Sequence, residues 1–128
     1  MRRNIFKRLL IGLLFVSLIS CASFVKNSYV TLNESKDLYY TVMGITADFQ
    51  AKGIIDQVKR DQINKAAKIY KEAHNFAVDL LAIYKKTASE EDKYKLMGAL
   101  SATASEWVQV AKLINAIKPG TIQATLIK

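Results

Sequence analysis

The sequence predicts an all-α protein, an antiparallel up-down-up three-helix bundle behind a short apolar N-terminal segment. Three observations lead there. Apolar residues recur at spacings of three and four over three long stretches, and none shows the strict alternation of a half-buried strand. Helix breakers are scarce, with one Pro and five Gly in 128 residues, and Gly53 and Pro119-Gly120 mark boundaries rather than interiors. Connections of a few residues between helices of about 25 to 30 residues force antiparallel neighbours. The 51% apolar fraction excludes a disordered or low-complexity chain, and the length allows one domain.

Residues 1–8 carry Arg2, Arg3, Lys7 and Arg8 and no acid. Residues 9–19 then read LLIGLLFVSLI, without a charge. At about 1.5 Å per helical residue this run reaches about 16 Å, roughly half of a bilayer's hydrocarbon core. It has the length of the h-region of an export signal, and it lacks the polar stripe that a core helix would show. Leu18-Ile19-Ser20-Cys21 ends it, and Cys21 is the single Cys of the chain. This tetrapeptide resembles the lipobox of bacterial lipoprotein precursors, in which a small residue precedes the Cys that becomes the mature N-terminus. The resemblance covers residues 1–21 and implies cleavage between Ser20 and Cys21, with a diacylglyceryl thioether on Cys21. Several acyl chains anchor stably where one would be marginal. It also implies a lipid anchor facing the periplasm. The Ala22 that follows Cys21, in place of an Asp, leans toward the outer rather than the inner membrane in a Gram-negative host. The expected organisation is a signal peptide at 1–20, a lipidated N-terminus and tether at 21–27, the bundle at 28–118 and a tail at 119–128.

The first helix is expected over about 28–52. Leu32, Tyr39, Val42, Met43 and Phe49 carry its period, with Ser35 and Thr46 as small polar interruptions. It starts near Asn27/Ser28 or at Thr31, where Thr31-Leu32-Asn33-Glu34 has capping-box spacing. Gly53 suits the left-handed position after its end, with Ile54 folding back onto the last turn.

Asp56 is the expected N-cap of a second helix, about 57–86. Its seam reads Ile63, Ala66, Tyr70, Ala73, Ala77, Leu80 and Tyr84, widened by Ala67, His74 and Leu81. Seven Lys and Arg lie largely off that seam as a solvated face. In the third helix, about 90–117, Ser89 caps a first turn of Glu90, Glu91 and Asp92, which suits the positive end of the helix dipole. Met97, Leu100, Ala104, Trp107, Ala111 and Ile114 form its seam, beside Val108 and Ile117. Residues 121–128 are expected to fray.

Charge and chemistry narrow the function. The chain holds 19 basic and 11 acidic residues for a formal +8, but four of the bases lie in residues 1–20. The remainder carries +4, which gives no basis for a nucleic-acid partner. One Cys makes no internal disulfide and one His no pair of imidazole ligands. There is no CxxCH, HExxH, GxSxG, Glu-x-x-His or Gly-rich phosphate loop, and no cofactor is expected. From His74 only Tyr70 lies at helical spacing, whereas Glu72 and Asp79 do not, so His74 reads as a hydrogen-bonded residue at the seam's edge. Tyr39, Tyr70, Tyr84 and Trp107 read as core, and Tyr40 and Phe76 as exposed.

The expected function is therefore non-enzymatic: a small membrane-anchored binding or structural module of the cell envelope, touching an envelope partner. Its best surface is the second helix, at Lys65, Lys68 and Phe76. The alternative is a phage- or plasmid-borne exclusion or immunity lipoprotein. The mature part loosely resembles small helical lipoproteins of bacterial and phage genomes.

Overall fold

The computed structural model describes residues 2–123, with side chains from residue 22 onward. Three helices follow one another, α1 (Arg2–Ala51), α2 (Gln57–Thr87) and α3 (Glu90–Ile117), and the described residues contain no strand. Neighbours run antiparallel. Phe24, near the middle of α1, meets Tyr84 near the end of α2, and Ser35, further along α1, meets Tyr70, earlier in α2. Tyr70 in turn stacks against Trp107 of α3, with ring centroids 5.4 Å apart.

The helix ends follow from local chemistry. Gly53, at φ +70°, closes α1. Ile54 N–H donates to Phe49 O at 2.9 Å and Gly53 N–H to Gln50 O at 3.0 Å. These two bonds satisfy carbonyls that the helix leaves open. The apolar residue that folds back is Ile55 rather than the expected Ile54: Ile55 is buried in the core and Ile54 is half exposed. The Asp56 carboxylate accepts from Lys59 N–H at 2.8 Å, and Ser89 Oγ from Asp92 N–H at 3.1 Å. Both caps match the sequence. Thr87 and Ser89 hydroxyls donate to the Asp92 carboxylate and hold its pKa below the ordinary value.

Two hydrophobic clusters run along the helices. The larger one joins Val42 and Phe49 of α1, Ile63, Ala67 and Tyr70 of α2, and Trp107, Val110 and Ile114 of α3. The smaller one lies toward the α2–α3 connection. It holds Leu32, Ala77, Leu80, Leu81, Tyr84, Leu96 and Ala99, with Phe24, Val25 and Leu100 half-buried against it.

Three further expectations are corrected. The first helix does not begin at 28: residues 22–27, expected as a tether, are helical, and Phe24 and Val25 pack onto the smaller cluster. The seam of α3 is displaced by one residue at its start. Leu96 is fully buried and Met97 is 47% exposed, and the line continues through Ala99 and Thr103. Thr103 is admissible inside because its hydroxyl donates to Ala99 O at 2.9 Å, which removes the cost of burying it. Finally, residues 121–123 do not fray. Asn115 donates to Ile122 O at 2.8 Å and accepts from Ile122 N–H at 3.0 Å, and Trp107 Nε1 donates to Gln123 O at 2.9 Å. Residues 124–128 lie outside the described residues.

Candidate functional site

Three places in the molecule gather polar or exposed apolar groups. The first is internal. Ser35 sits on the buried face of α1, one heptad from Ser28 and Val42, and opposite Tyr70 and His74, which are four residues apart on α2. The Tyr70 hydroxyl donates to the Ser35 carbonyl at 2.8 Å. Ser35 Oγ then donates to the Tyr70 oxygen at 2.5 Å and accepts from His74 Nδ1–H at 3.0 Å. With both hydroxyl protons used, the imidazole has its proton on Nδ1, the tautomer this network requires. Burial pushes the Tyr70 pKa up to about 12, and burial with the nearby Lys36 lowers that of His74.

A serine bonded to a histidine invites comparison with a nucleophile and its base. The arrangement does not work as one. Ser35 is 0% exposed and Tyr70 1%, so the Oγ meets no approaching substrate. Its proton already points at the phenol. The trio clamps α1 to α2. Sequence spacing found the Tyr70–His74 pair but not Ser35, because the partner lies on another helix.

The second place is the outer side of α2. Lys65, Lys68 and Phe76 are all exposed, Phe76 by 60%. Lys65 and Phe76 fall on one line of the helix, roughly three turns apart, while Lys68 lies to one side. The structure adds neighbours that sequence reading did not select. Val58, Ile69 and Ile83 are exposed on the same line as Phe76, and the acidic Glu72 and Asp79 stand beside them. The face is therefore mixed in charge rather than mostly basic. The signal for it in the sequence is a seven-residue spacing (Ile69, Phe76, Ile83) on the side away from the buried seam.

The third place lies beside the residues that follow Cys21 in α1, next to the end of α2. The side chains of Ser20 and Cys21 fall outside those described. Just after them a groove of about 580 Å³ opens between α1 and the end of α2. Ala22, Val25, Tyr29 and Tyr84 wall it, with Lys26 and Lys85 at its edge. Ala88 closes α2 there in the left-handed region at φ +48°.

Among the described residues, no group of three or more His, Cys, Asp or Glu could hold a metal ion, and no helix is long and apolar enough to cross a membrane. No family model, no curated protein and no solved structure matches the chain.

Proposed function

We propose that this chain is the precursor of a small lipoprotein of the bacterial cell envelope, anchored through lipid on Cys21 and acting as a non-enzymatic binding or structural module. The observation that carries this reading is the run of basic residues 2–8, uncharged apolar residues 9–19 and Ser20-Cys21 at its end. A thiol placed there meets the lipid surface, where it is alkylated, and the small Ser20 lets the Ser20–Cys21 bond enter a peptidase. The finer architecture belongs to the same reading: an up-down-up three-helix bundle projecting into the periplasm behind a removable signal helix, with the outer membrane favoured over the inner. The exposed residues of α2, Lys65, Lys68 and Phe76 among them, are the surface offered to an envelope partner.

Metabolic labelling with a fatty acid tests it. Wild type should incorporate label and fractionate with membranes at the mass of residues 21–128 plus lipid. Cys21→Ser should lose the label and retain the mass of the whole chain. Equal labelling of both would refute the lipobox reading.

A further inference from the structure

A molecule held by its first residue keeps one end close to the bilayer, and here that end has a definite chemistry. Ala22, Val25 and the ring of Tyr29, 60% exposed, form an apolar wall that continues from residue 21 along α1. Tyr84 completes the groove from α2. Lys26 and Lys85 stand at its mouth. Lys93 adds a third cation, lying 5.2 Å from the centre of the Phe24 ring, which itself meets Tyr84 edge-on at 5.5 Å. Lys86 is next along α2. The acids nearby are largely engaged: Glu91 binds Lys95 at 2.8 Å, and Asp92 accepts from Thr87 and Ser89.

Apolar walls beneath a rim of lysines, with a tyrosine whose ring is apolar and whose hydroxyl is polar, match the boundary between acyl chains and phosphate headgroups. We infer that this groove is a docking surface for the anionic phospholipid headgroups of the membrane that carries the protein, so that the bundle stands on the bilayer by the end holding Ala22–Tyr29 and Lys85 rather than swinging freely from its anchor. The inference rests on the anchoring proposed above. It goes beyond it by fixing which surface faces the lipid and what lipid chemistry that surface selects. Each lysine within reach of an anionic surface adds an attraction that salt screens. Reversing two of these four lysines brings their summed charge to zero and removes that attraction.

The test uses the full chain expressed in bacteria and reconstituted into vesicles whose lipids carry brominated acyl chains. A Tyr29→Trp variant reports on the groove, and Val58→Trp reports on the far end of α2, about 40 Å away. Wild type, with Trp107 fully buried, sets the baseline. In phosphatidylglycerol/phosphatidylethanolamine vesicles the Tyr29→Trp signal should be quenched well beyond baseline, and that of Val58→Trp should not. Adding Lys26→Glu and Lys85→Glu, or raising salt to about 0.5 M, should reduce the quenching of Tyr29→Trp to the Val58→Trp level. Far-ultraviolet circular dichroism of each variant confirms that the helices persist. Equal quenching at both positions, or quenching indifferent to charge reversal and salt, overturns the docking surface. The mass of the same preparation reads the anchor separately. An unmodified Cys21 with a charge-dependent Tyr29→Trp signal refutes the lipoprotein reading and leaves the docking surface standing. An acylated Cys21 with no quenching at Tyr29→Trp does the reverse.

Discussion

The two hydrophobic clusters are built from the same three helices and differ in how they are finished. Around Trp107 and Tyr70 the core is closed. Aromatic rings fill it, Ile55 folds in from the α1–α2 connection, and Ile122 is pinned across it by Asn115. Around Leu96 and Tyr84 the packing units are mostly Leu and Ala. Phe24 and Val25 are only half-buried, and a groove remains open beside them. Rigidity and surface contact are thereby separated. The closed end holds the helices together, while the open end, beside the proposed anchor, leaves apolar surface half-buried around a groove.

That contrast is most exposed to failure at Trp107. Trp107→Ala removes a fully buried indole and its bond to Gln123, and should cost about 3–5 kcal/mol in chemical denaturation. Leu96→Ala, in the thinner cluster, should fall toward the lower end of about 2–5 kcal/mol, because half-buried neighbours can close over the space. If Leu96→Ala costs more than Trp107→Ala, the ranking of the two ends is reversed. Asn115→Ala releases Ile122 and with it the acceptor of the Trp107 Nε1 proton. A loss of about 1–2 kcal/mol is expected, and none at all would mean that the tail contributes nothing to closing that end. At the open end Ala88 occupies the left-handed region that costs a side chain about 1 kcal/mol, so Ala88→Gly should stabilise the protein by up to about that amount.

The clamp between α1 and α2 predicts a pH dependence with two limbs. The folded state lowers the His74 pKa, so the unfolded chain binds the proton more readily there. Stability is full above the ordinary histidine value of about 6.5 and declines as the pH falls below it toward the depressed folded value. Tyr70 works in the opposite sense. Its folded pKa of about 12 exceeds the unfolded value of about 10, so its contribution is complete below pH 10 and is lost as the pH rises from there toward 12. His74→Asn should flatten the acid limb and Tyr70→Phe the alkaline one. Retention of either slope would assign it to other groups.

Much of this contrast was legible in the sequence, and the gaps have physical causes. Long 3-4 periods placed α2 and α3 to within a residue, and local hydrogen bonding marked their starts at Asp56 and Ser89 and the end of α1 at Gly53. Adjacent apolar residues are where periodicity failed. Leu96 and Met97, like Ile54 and Ile55, fit either side of a one-residue shift, and only the partner helix decides between them. Small hydroxyl residues were a second blind spot: Ser35 and Thr103 interrupt an apolar pattern on paper but are buried with their hydroxyls satisfied. The return of Ile122 to Asn115 and the groove beside Tyr29 depend on contacts across the fold, which no local pattern encodes. The exposed line of Ile69, Phe76 and Ile83 was present in the sequence as a seven-residue repeat.

Residue-resolved hydrogen exchange on the full chain in phosphatidylcholine vesicles, whose headgroups carry no net charge, probes the division between the two ends most directly. Amides at 63–70 and 107–114 should be the slowest, opening only with global unfolding, while those at 24–32, 80–88 and 94–99 should exchange through smaller openings of lower free energy. Uniform protection along all three helices, or slowest exchange at the end beside Cys21, would contradict the division of the molecule into a closed core and an open contact surface.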